Sequence, residues 1–556
     1  MNPGEHTNLG VGGGHPHGAN GSASGTTPAF TLRNEPVENL QPLRVVVVGA
    51  GFSGIVAAIR IPEKLRNVDL TVYEKNEGLG GVWWLNNYPG VACDIPSHSY
   101  QYSFAPNPNW SNLYAPGAEI RKYLEDVAEK YGATRFIKTR HEVKHAAWDD
   151  EQKLWKIKVQ NLLTGDTIED SANVFITARG QLNDLKWPDI PGLDSFQGKM
   201  MHSGAWDKSY DFRNKKIAII GNGSSAIQII PSLQKIEGTT LSCFMRSPTW
   251  ISGEFGDQAM MELGLDPKDT AFTPEQQQRF ASDPSAYLAF RKAFESSGNT
   301  IHDSTILHAP MQIALQSLFR DAMAQTLSSN PPLAASLIPT FAPGFFDVLI
   351  CATGYHVSSP PPFPILGRGG LPLSTRWAAR PETYLSLAVD GFPNLLMLFG
   401  PNSAIGFGSL TRILEAETDY LVRAIRKLQK EGYASLEPRR ERVRDFVAFV
   451  DAYFEGTVYM DACRSWYKRR GKMVGLWPGS TLHALEALRS PRWEDWVFEP
   501  AVGGEGGNAL GWLGNGWSLC ETDGDPSWYV NPDEVEVPME GRPEEGARFK
   551  ARPWSY

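Results

Sequence analysis

The stretch Leu43–Val48 (LRVVVV) leads directly into residues 49–54 (GAGFSG), and this stretch decides the fold. LRVVVV is a β-branched run, typical of a buried parallel strand. GAGFSG fits the GxGxxG pattern: Gly49 permits a tight turn, Gly51 lets the backbone approach a pyrophosphate, and Gly54 lets the next helix pack closely. The stretch therefore predicts a doubly wound, Rossmann-like α/β fold, with a helix over residues 53–60 that ends before Pro62.

An acidic residue follows the next predicted strand. Residues 69–73 (DLTVY) end at Glu74, about 20 residues past the last glycine, where a carboxylate can accept hydrogen bonds from a ribose 2′-OH. The same carboxylate would repel a 2′-phosphate. The first loop therefore favours FAD or NAD over NADP. The succession of strand, loop, helix, strand and acidic residue makes a dinucleotide site a better interpretation than a glycine-rich turn that arose by chance.

A second loop of the same kind lies near the middle of the chain. Lys216–Ile220 (KIAII) precedes residues 221–226 (GNGSSA), the GxGxxA variant of the pattern. The following strand, residues 240–245, ends at Arg246 and Ser247, a guanidinium and a hydroxyl where a 2′-phosphate would lie. This loop favours NADPH, although Arg246 could instead be a surface residue at a strand end. The predicted NADPH-binding residues here are Asn222, Gly223, Ser224, Ser225, Ala226, Ile227, Gln228, Arg246 and Ser247.

Two dinucleotide sites in one chain imply that one cofactor passes a hydride to the other. A flavin is the natural recipient, since it can then reduce oxygen or a disulfide. The five cysteines are scattered and form no CxxC pair, which argues against disulfide chemistry. Oxygen chemistry remains.

Composition limits the other classes. The 556 residues, 42% hydrophobic and 21% charged, predict two or three globular domains. A net charge of −9 argues against nucleic-acid binding, no apolar run approaches the roughly 20 residues of a membrane span, and no His/Cys cluster indicates a metal site. We expect a cytoplasmic protein of unknown oligomeric state, with a disordered tail over residues 1–40 that is rich in Gly, Ser, Asn and His.

A family resemblance starts between the loops. Residues 196–207 (FQGKMMHSGAWD) match FxGxxxHxxxW[PD], so the chain resembles the Baeyer-Villiger monooxygenases, a family of FAD-dependent enzymes. Related flavin monooxygenases that hydroxylate nitrogen or sulfur carry a shorter version. The resemblance implies that His202 takes part in binding NADPH; without it, a packed histidine in a linker would be the simpler interpretation.

A second motif of the same family is similar to residues 81–94 (GVWWLNNYPGVACD). The resemblance implies that this segment wraps the flavin, and that Asp94 acts catalytically by orienting a neighbouring cation. It further implies that Ala92 and Cys93 approach NADPH. The implied FAD contacts are Val82, Trp83, Trp84, Leu85, Asp94, Ile95 and Tyr100.

Weaker matches extend the resemblance over about residues 41–495, with similarity to fungal secondary-metabolism members. The implied fold is two doubly wound nucleotide-binding domains, the FAD domain being split by an inserted NADPH domain with a helical segment. The predicted boundaries are 41–182 for the first FAD part, 183–361 for the NADPH domain with its insert at about 254–340, and 362–556 for the second FAD part with the C-terminal region. Helical spacing in the insert favours helices over residues 273–281 and 311–327.

One departure from the family matters. Residues 337–344 (LIPTFAPG) resemble the family's lead-in to a segment with a catalytic arginine, yet FFDVLIC follows at once, so the arginine and several dozen residues are missing. Losing one such charge donor commonly costs about 3–4 kcal/mol of transition-state stabilisation. Arg320 and Arg368 are the candidates to replace it, although their spacing places neither at a flavin. A gene-structure error or natural decay explains the gap more simply.

The resemblance implies that NADPH reduces FAD and that O2 is then used to convert a small-molecule ketone into an ester or lactone, in a polyketide-type pathway. Two alternatives stay open. One is nitrogen or sulfur hydroxylation by a related flavin monooxygenase. The other is a cofactor-binding protein or NADPH oxidase with impaired catalysis, because the arginine segment is missing.

Overall fold

The computed structural model describes residues 32–38, 41–245, 260–261, 266, 269–327, 348–357, 360–406, 408–460, 465–501, 510–521 and 524–531. These residues form two compact units, one from residues 1–37 with 504–556 and the other from residues 38–503. The predicted 2′-phosphate residues Arg246 and Ser247, and the junction at residues 344–345, lie outside the described residues.

The strands are short and mostly buried. In chain order they are β1 Leu43–Val48, β2 Val68–Tyr73, β3 Ile137–Lys138, β4 His141–Asp149, β5 Leu154–Asn161, β6 Thr167–Ala172, β7 Val174–Thr177, β8 Lys199–His202, β9 Lys216–Ile220, β10 Thr240–Phe244, β11 Val348–Cys351, β12 Ile365–Leu366, β13 Leu395–Met397, β14 Tyr433–Pro438, β15 Lys468–Arg469, β16 Lys472–Met473 and β17 Trp496–Pro500.

The α-helices connect and cover these strands. They are α1 Phe52–Lys64, α2 Val82–Leu85, α3 Gly117–Lys130, α4 Ser224–Gln234, α5 Pro274–Ser282, α6 Pro284–Thr300, α7 Pro310–Leu327, α8 Leu373–Arg376, α9 Leu410–Glu431, α10 Arg440–Glu455 and α11 Thr481–Ala487. Short 3₁₀ turns occur at Ala133–Phe136, Leu193–Ser195, Ile301–Thr305, Arg368–Gly370, Val458–Met460, Trp493–Asp495, Gly511–Leu513, Leu519–Glu521 and Trp528–Val530.

The larger unit is built around two parallel sheets. One has the order β13-β7-β1-β2-β3, and the other has the order β10-β9-β11-β8. In the first sheet, β1 lies between β7 and β2, and its residues Val45, Val46 and Val47 are fully buried. The β-branched run therefore sits in the middle of a covered sheet, as its composition predicts.

A third sheet, β12-β4-β5-β6, pairs β4, β5 and β6 antiparallel and packs on the first sheet. Trp155 on β5 is fully buried and lies 5.5 Å from the ring of Phe175 on β7. Its Nε1 donates to the carbonyl of Pro393, 2.8 Å away. This layer helps to hold β7 and the chain before β13 in place.

The first helix differs from its predicted length. We expected it to end before Pro62, but α1 continues through that proline to Lys64. Proline removes a donor and crowds a carbonyl one turn earlier, and these costs fall on the last turn only, where the helix is ending. Buried Ile61 and Leu65 pack this last turn into the core.

The described part of the helical insert contains α5, α6 and α7, whereas the pattern predicts helices over residues 273–281 and 311–327. Asp283 and Pro284 end α5 and start the additional helix α6, because the Asp283 carboxylate accepts the N–H groups of Ser285 and Ala286. At the start of α5, Thr273 and Gln276 form a reciprocal capping box.

The smaller unit is described over residues 32–37, 510–521 and 524–531. There the Val37 N–H donates to the carbonyl of Trp517 at 2.9 Å, and the Asn515 N–H donates to that of Glu35 at 2.8 Å. Within the described part of the chain, no helix has the length and hydropathy that a bilayer crossing requires.

Candidate cofactor and active site

The first loop has the geometry that a pyrophosphate site requires. Gly49 has φ of +103°, and a Cβ on Gly54 would lie 1.8 Å from the carbonyl oxygen of Gly49. Gly51 caps α1 without a side-chain hydrogen bond, and no acidic residue occupies the first turn. The helix start therefore presents backbone N–H groups and a positive dipole end to the space in front of it.

Glu74 ties the loop to the end of β2. Its side chain is 4% exposed, and one oxygen accepts the Ala50 N–H at 2.8 Å. The other oxygen accepts the backbone N–H and the side-chain amide of Asn76, at 2.7 and 2.6 Å. A carboxylate has about four acceptor positions, so one remains for a ligand hydroxyl.

The second loop repeats this arrangement. A Cβ on Gly221 would lie 2.3 Å from the carbonyl oxygen of Ala352, so the loop crosses close to the end of β11. A Cβ on Gly223 would meet no atom within 4 Å, which leaves the start of α4 open. Ala226 is buried and packs the helix on its sheet, whereas Ile227 is 56% exposed.

Both loops open onto one cavity of about 600 Å³. The predicted residues that line it are Gly49, Gly51, Glu74, Val82, Trp83, Leu85, Ala92, Cys93, Asp94, Ile95, Tyr100, Ser224, Ser225 and Gln228. The predicted residues that lie off its wall are Gly54, Trp84, His202, Asn222, Gly223, Ala226 and Ile227. The structure thus brings most of the predicted first-loop and wrapping residues together, and fewer of the second-loop residues.

The segment of residues 88–92 bridges the two loops. The Tyr88 hydroxyl donates to the side-chain oxygen of Gln228 at 3.0 Å, and the Gln228 amide donates to the carbonyl of Ala92 at 3.0 Å. A Cβ on Gly90 would lie 2.3 Å from the Ser232 hydroxyl. The YPG sequence therefore packs directly against α4, which fixes the distance between the two loops.

Asp94, the predicted catalytic residue, is exposed on the cavity wall. Among the described residues it has no hydrogen-bond or ion-pair partner, so the cation that it was expected to orient is not beside it in this part of the chain. Its neighbour Cys93 is buried, and burial raises the pKa of that thiol to about 11. Cys93 is therefore a packing residue of the wall, protonated at neutral pH.

His202 lies behind the wall. It is fully buried at the end of β8, and its Nδ1 accepts the Gly204 N–H at 3.0 Å. Burial lowers the pKa of His202, and the nearby backbone of Lys186 and Gly354 partly offsets this. Its ring packs edge-to-face on Tyr355, 5.8 Å away, and Tyr355 does line the cavity. His202 therefore contacts a residue of the cavity wall without lining the cavity itself.

Several cavity residues were missed at the level of sequence. Arg179 and Gln181 follow β7, and Tyr355 follows β11, where its hydroxyl donates to the side-chain oxygen of Asn86 at 2.9 Å. Arg179 is paired with Asp184 at 2.7 Å. The available signal was topological, because ligands bind beyond the carboxyl ends of parallel strands and these residues follow such ends.

The two arginines considered as replacements for the missing one lie away from the cavity. Arg368 contacts three carboxylates, those of Glu437 at 2.7 Å, Asp150 at 2.9 Å and Glu499 at 2.7 Å. Arg320 is 66% exposed on α7 and lies 3.8 Å from Asp321. Neither lines the cavity, and the guanidinium of Arg368 is fully used in holding β12, β14 and β17 together.

Comparison with known proteins identifies the family. The chain is 34% identical to the FAD-binding monooxygenase tazF of Aspergillus terreus, over 91% of this chain and 96% of the relative. The chain belongs to the FAD-binding monooxygenases. It is also 34% identical to a Baeyer-Villiger monooxygenase of Streptomyces coelicolor, over 84% of this chain and 95% of the relative. The expected resemblance is therefore confirmed.

Two family models match parts of the chain. One, described as an NAD(P)-binding Rossmann-like domain, matches residues 47–116. The other, described as L-lysine 6-monooxygenase/L-ornithine 5-monooxygenase, matches residues 100–331. Each spans less than half of the chain, so neither alone identifies the enzyme.

Solved structures confirm the fold. A closed crystal structure of cyclohexanone monooxygenase has a TM-score of 0.69 at 23% identity, over 83% of this chain and 99% of that chain. An oxidised steroid monooxygenase bound to NADP has a TM-score of 0.65 at 26% identity, over 83% of this chain and 100% of that chain. This monooxygenase therefore has the expected pair of doubly wound sheets.

One relative contains more residues than this chain over the matched length. The match to the FAD-binding monooxygenase moxY of Dothistroma septosporum, 31% identical over 96% of this chain and 94% of the relative, runs over 611 residues, more than the 556 of this chain. That relative therefore contains dozens of residues that this monooxygenase lacks.

Proposed function

We propose that this monooxygenase binds FAD on the first loop and NADPH on the second, and uses them with O2 to convert a ketone into an ester or lactone. The observation that carries the proposal is the shared cavity of about 600 Å³. Gly49 and Gly51 of one loop and Ser224 and Ser225 of the other line it. Cofactors held on both loops would face each other closely enough for direct hydride transfer.

The residues present fit two dinucleotides. The starts of α1 and α4 carry glycine caps, no side-chain caps and no acidic residue, so both can receive a pyrophosphate. Glu74 would hold the FAD ribose through its remaining acceptor position. For the 2′-phosphate of NADPH we assign Arg246 and Ser247, from their place after the second strand of that unit.

Bound FAD, once reduced by NADPH, would supply the activation of O2. The chain's own residues bind and position the reactants. Tyr88 and Gln228 hold the segment between the loops, and Trp83 donates to the Tyr100 hydroxyl at 3.2 Å to brace the wall beside the first loop. Phe294 of α6 covers the cavity and helps to exclude water from it.

For the substrate we propose a polyketide-derived ketone. The cavity has an extended apolar wall, formed by Phe294, Ile301, Phe399, Ile405, Leu410 and Leu414. Such a wall suits a large carbon skeleton with few charges. Ketone and O2 would both enter as small molecules.

Two alternatives have support of their own. The match of residues 100–331 to a lysine and ornithine monooxygenase model favours nitrogen hydroxylation. The missing arginine segment favours a protein that binds both cofactors and oxidises NADPH without oxygenating a substrate. The intact motif at residues 196–207 favours the ketone reaction over the first alternative.

The test is a mass balance on the purified, FAD-loaded protein. NADPH consumption, O2 uptake, peroxide and organic products are measured with a polycyclic ketone, its matched thioether and an amine. Ester or lactone formed in proportion to NADPH supports the proposal. Sulfoxide or hydroxylamine without ester supports the first alternative, and peroxide alone supports the second.

A further inference from the structure

Among the residues of the helical insert that the structure describes, one ionisable side chain lines the cavity. The stripe of α6 and the following turn that lines the cavity consists of Phe294, Glu295, Gly298 and Ile301. The other cavity-lining acids come from elsewhere: Glu74 follows β2, Asp94 lies in the loop between α2 and α3, and Glu142 lies on β4. Glu295 is thus placed on the apolar side of the cavity, where a carbon skeleton is expected to lie.

Packing holds α6 in this orientation. Tyr287 and Phe290 are buried and, together with Phe272 and Phe280, surround His98 with edge-to-face rings, and Phe294 packs on Phe290. The Tyr287 hydroxyl donates to the carbonyl of Asn107 at 2.6 Å. Since the helix is anchored through these neighbouring aromatic residues, Glu295 is presented to the cavity by a fixed backbone.

The Glu295 carboxyl group is only partly satisfied. The residue is half-buried; burial raises its pKa, and the nearby Ser99 side chain and the charges of Arg291 and Arg412 offset this only in part. The Ser99 carbonyl accepts the Ser409 hydroxyl at 3.1 Å, which holds the backbone beside Glu295. A carboxylate has about four acceptor positions, so Glu295 keeps acceptor positions for a ligand.

We propose that Glu295 is a specificity-determining residue that accepts a hydrogen bond from a hydroxyl group of the substrate, so that the enzyme prefers hydroxylated ketones. The inference rests on the proposed function. A buried acceptor left without its donor is costly, and a site built around a substrate hydroxyl rejects the analogue that lacks it. For this single, half-open contact the expected preference is roughly 10- to 100-fold.

The experiment compares a hydroxytetralone with its methyl ether on the holoenzyme. Binding is read from the perturbation of the oxidised flavin spectrum, which needs no turnover, and kcat and KM are measured in parallel. Glu295→Leu removes the acceptor at similar size, Glu295→Gln retains a carbonyl acceptor, and Ser296→Ala alters an exposed neighbour on the same helix. Flavin content and unfolding temperature report whether each variant is folded, and Glu295→Met replaces Glu295→Leu if the latter is not.

The expected result is that wild type, Glu295→Gln and Ser296→Ala bind the hydroxytetralone more tightly, while Glu295→Leu loses that preference through KM with little change in kcat. No preference in the wild type, or an unchanged preference in Glu295→Leu, overturns the inference. So does a change in the KM for NADPH that is equal with both ketones, because Glu295 would then act on the nucleotide. If binding shows the preference but neither ketone yields an ester, the proposed function fails and the assignment of Glu295 stands.

Discussion

Replacement of Glu74 tests the assignment of the first loop most directly. Its carboxylate accepts three hydrogen bonds, from the Ala50 N–H and from two donors of Asn76, while being 4% exposed. Glu74→Ala removes these acceptors together with the one proposed for the FAD ribose. The loop loses its link to β2 at the same time.

The magnitude follows from these contacts. A hydrogen bond to a charged group contributes about 1.5–3 kcal/mol. Loss of the single ribose contact therefore weakens FAD binding by about 10- to 150-fold in Kd. Unpaired donors at Ala50 and Asn76 add to this by about 1–3 kcal/mol each where water does not replace the carboxylate. Glu74→Gln keeps one carbonyl acceptor, so we expect its loss to be the smaller one.

The assay is fluorescence quenching of FAD titrated into the flavin-free protein, with thermal unfolding measured in the presence and absence of FAD. Glu77→Ala is the matched control, since Glu77 is three residues away, 62% exposed and paired with Arg140. FAD should raise the unfolding temperature of the control as it does that of the wild type. If Glu74→Ala binds FAD as tightly as Glu77→Ala, the carboxylate does not hold the ribose and the reasoning is refuted.

Three further predictions concern packing and titration. Gly54→Ala puts a Cβ 1.8 Å from the Gly49 oxygen and should abolish flavin retention. A Cβ at Gly223 meets no atom within 4 Å, so Gly223→Ala should weaken only the binding of NADP⁺, as measured by calorimetry. Equal flavin contents in the two variants would contradict this prediction. Burial lowers the pKa of His98 from 6.5 to about 3, so on acidification the unfolded chain binds a proton at this residue before the folded protein does. The free energy of unfolding therefore falls by up to about 1.4 kcal/mol per pH unit as pH drops below 6.5. In denaturant unfolding, the stability of His98→Phe should fall less steeply with decreasing pH than that of wild type. Parallel curves of stability against pH would refute this prediction. Burial raises the pKa of Glu417 from 4.5 to about 8, so the contribution of this carboxyl group to the free energy of unfolding is lost as pH rises from 4.5 to about 8. Glu417→Gln should therefore be more stable than wild type above about pH 8. Coincident curves of stability against pH for the two proteins would exclude this.

The parts of the fold that were predictable are those where a local pattern dictates local geometry. The run before Gly49 and the run before Gly221 each form the middle of a parallel sheet, because β-branched residues without alternation suit a strand covered on both faces. The predicted length of α1 was wrong because the destabilisation caused by Pro62 depends on its position in the helix. Packing of the last turn sets that position. The antiparallel layer around Trp155 was not predicted: its strands β4, β5 and β6 are neighbours along the chain, but the packing of Trp155 on Phe175 that places the layer depends on the whole fold.

In the candidate site, too, the predictable residues are those that a local sequence pattern places. Glu74 could be found from its spacing after the loop, because a βαβ unit has a nearly constant length. Arg179, Tyr355 and Glu295 could not, because strand order and the docking of the insert bring them to the cavity. His202 belongs to a recognisable motif, yet a motif names a residue without saying which face of a sheet its side chain will occupy.

Cofactor binding and oxygenation depend on different groups in this cavity. Binding of the two pyrophosphates relies on backbone N–H groups at two helix starts, which remain even in a chain that lacks the arginine segment. Charge stabilisation at the reacting centre requires a cation aimed there, worth about 3–4 kcal/mol. Two cationic residues line the described part of the cavity wall, Arg179 and Lys75. The guanidinium of Arg179 is 2.7 Å from the carboxylate of Asp184, which neutralises much of its charge. Lys75 follows Glu74, the residue proposed to hold the FAD ribose, at the end of β2. For the proposed ketone reaction we expect loss of that segment to slow ester formation while NADPH oxidation continues, so the ratio of ester to peroxide, rather than flavin content, tests the effect of the loss.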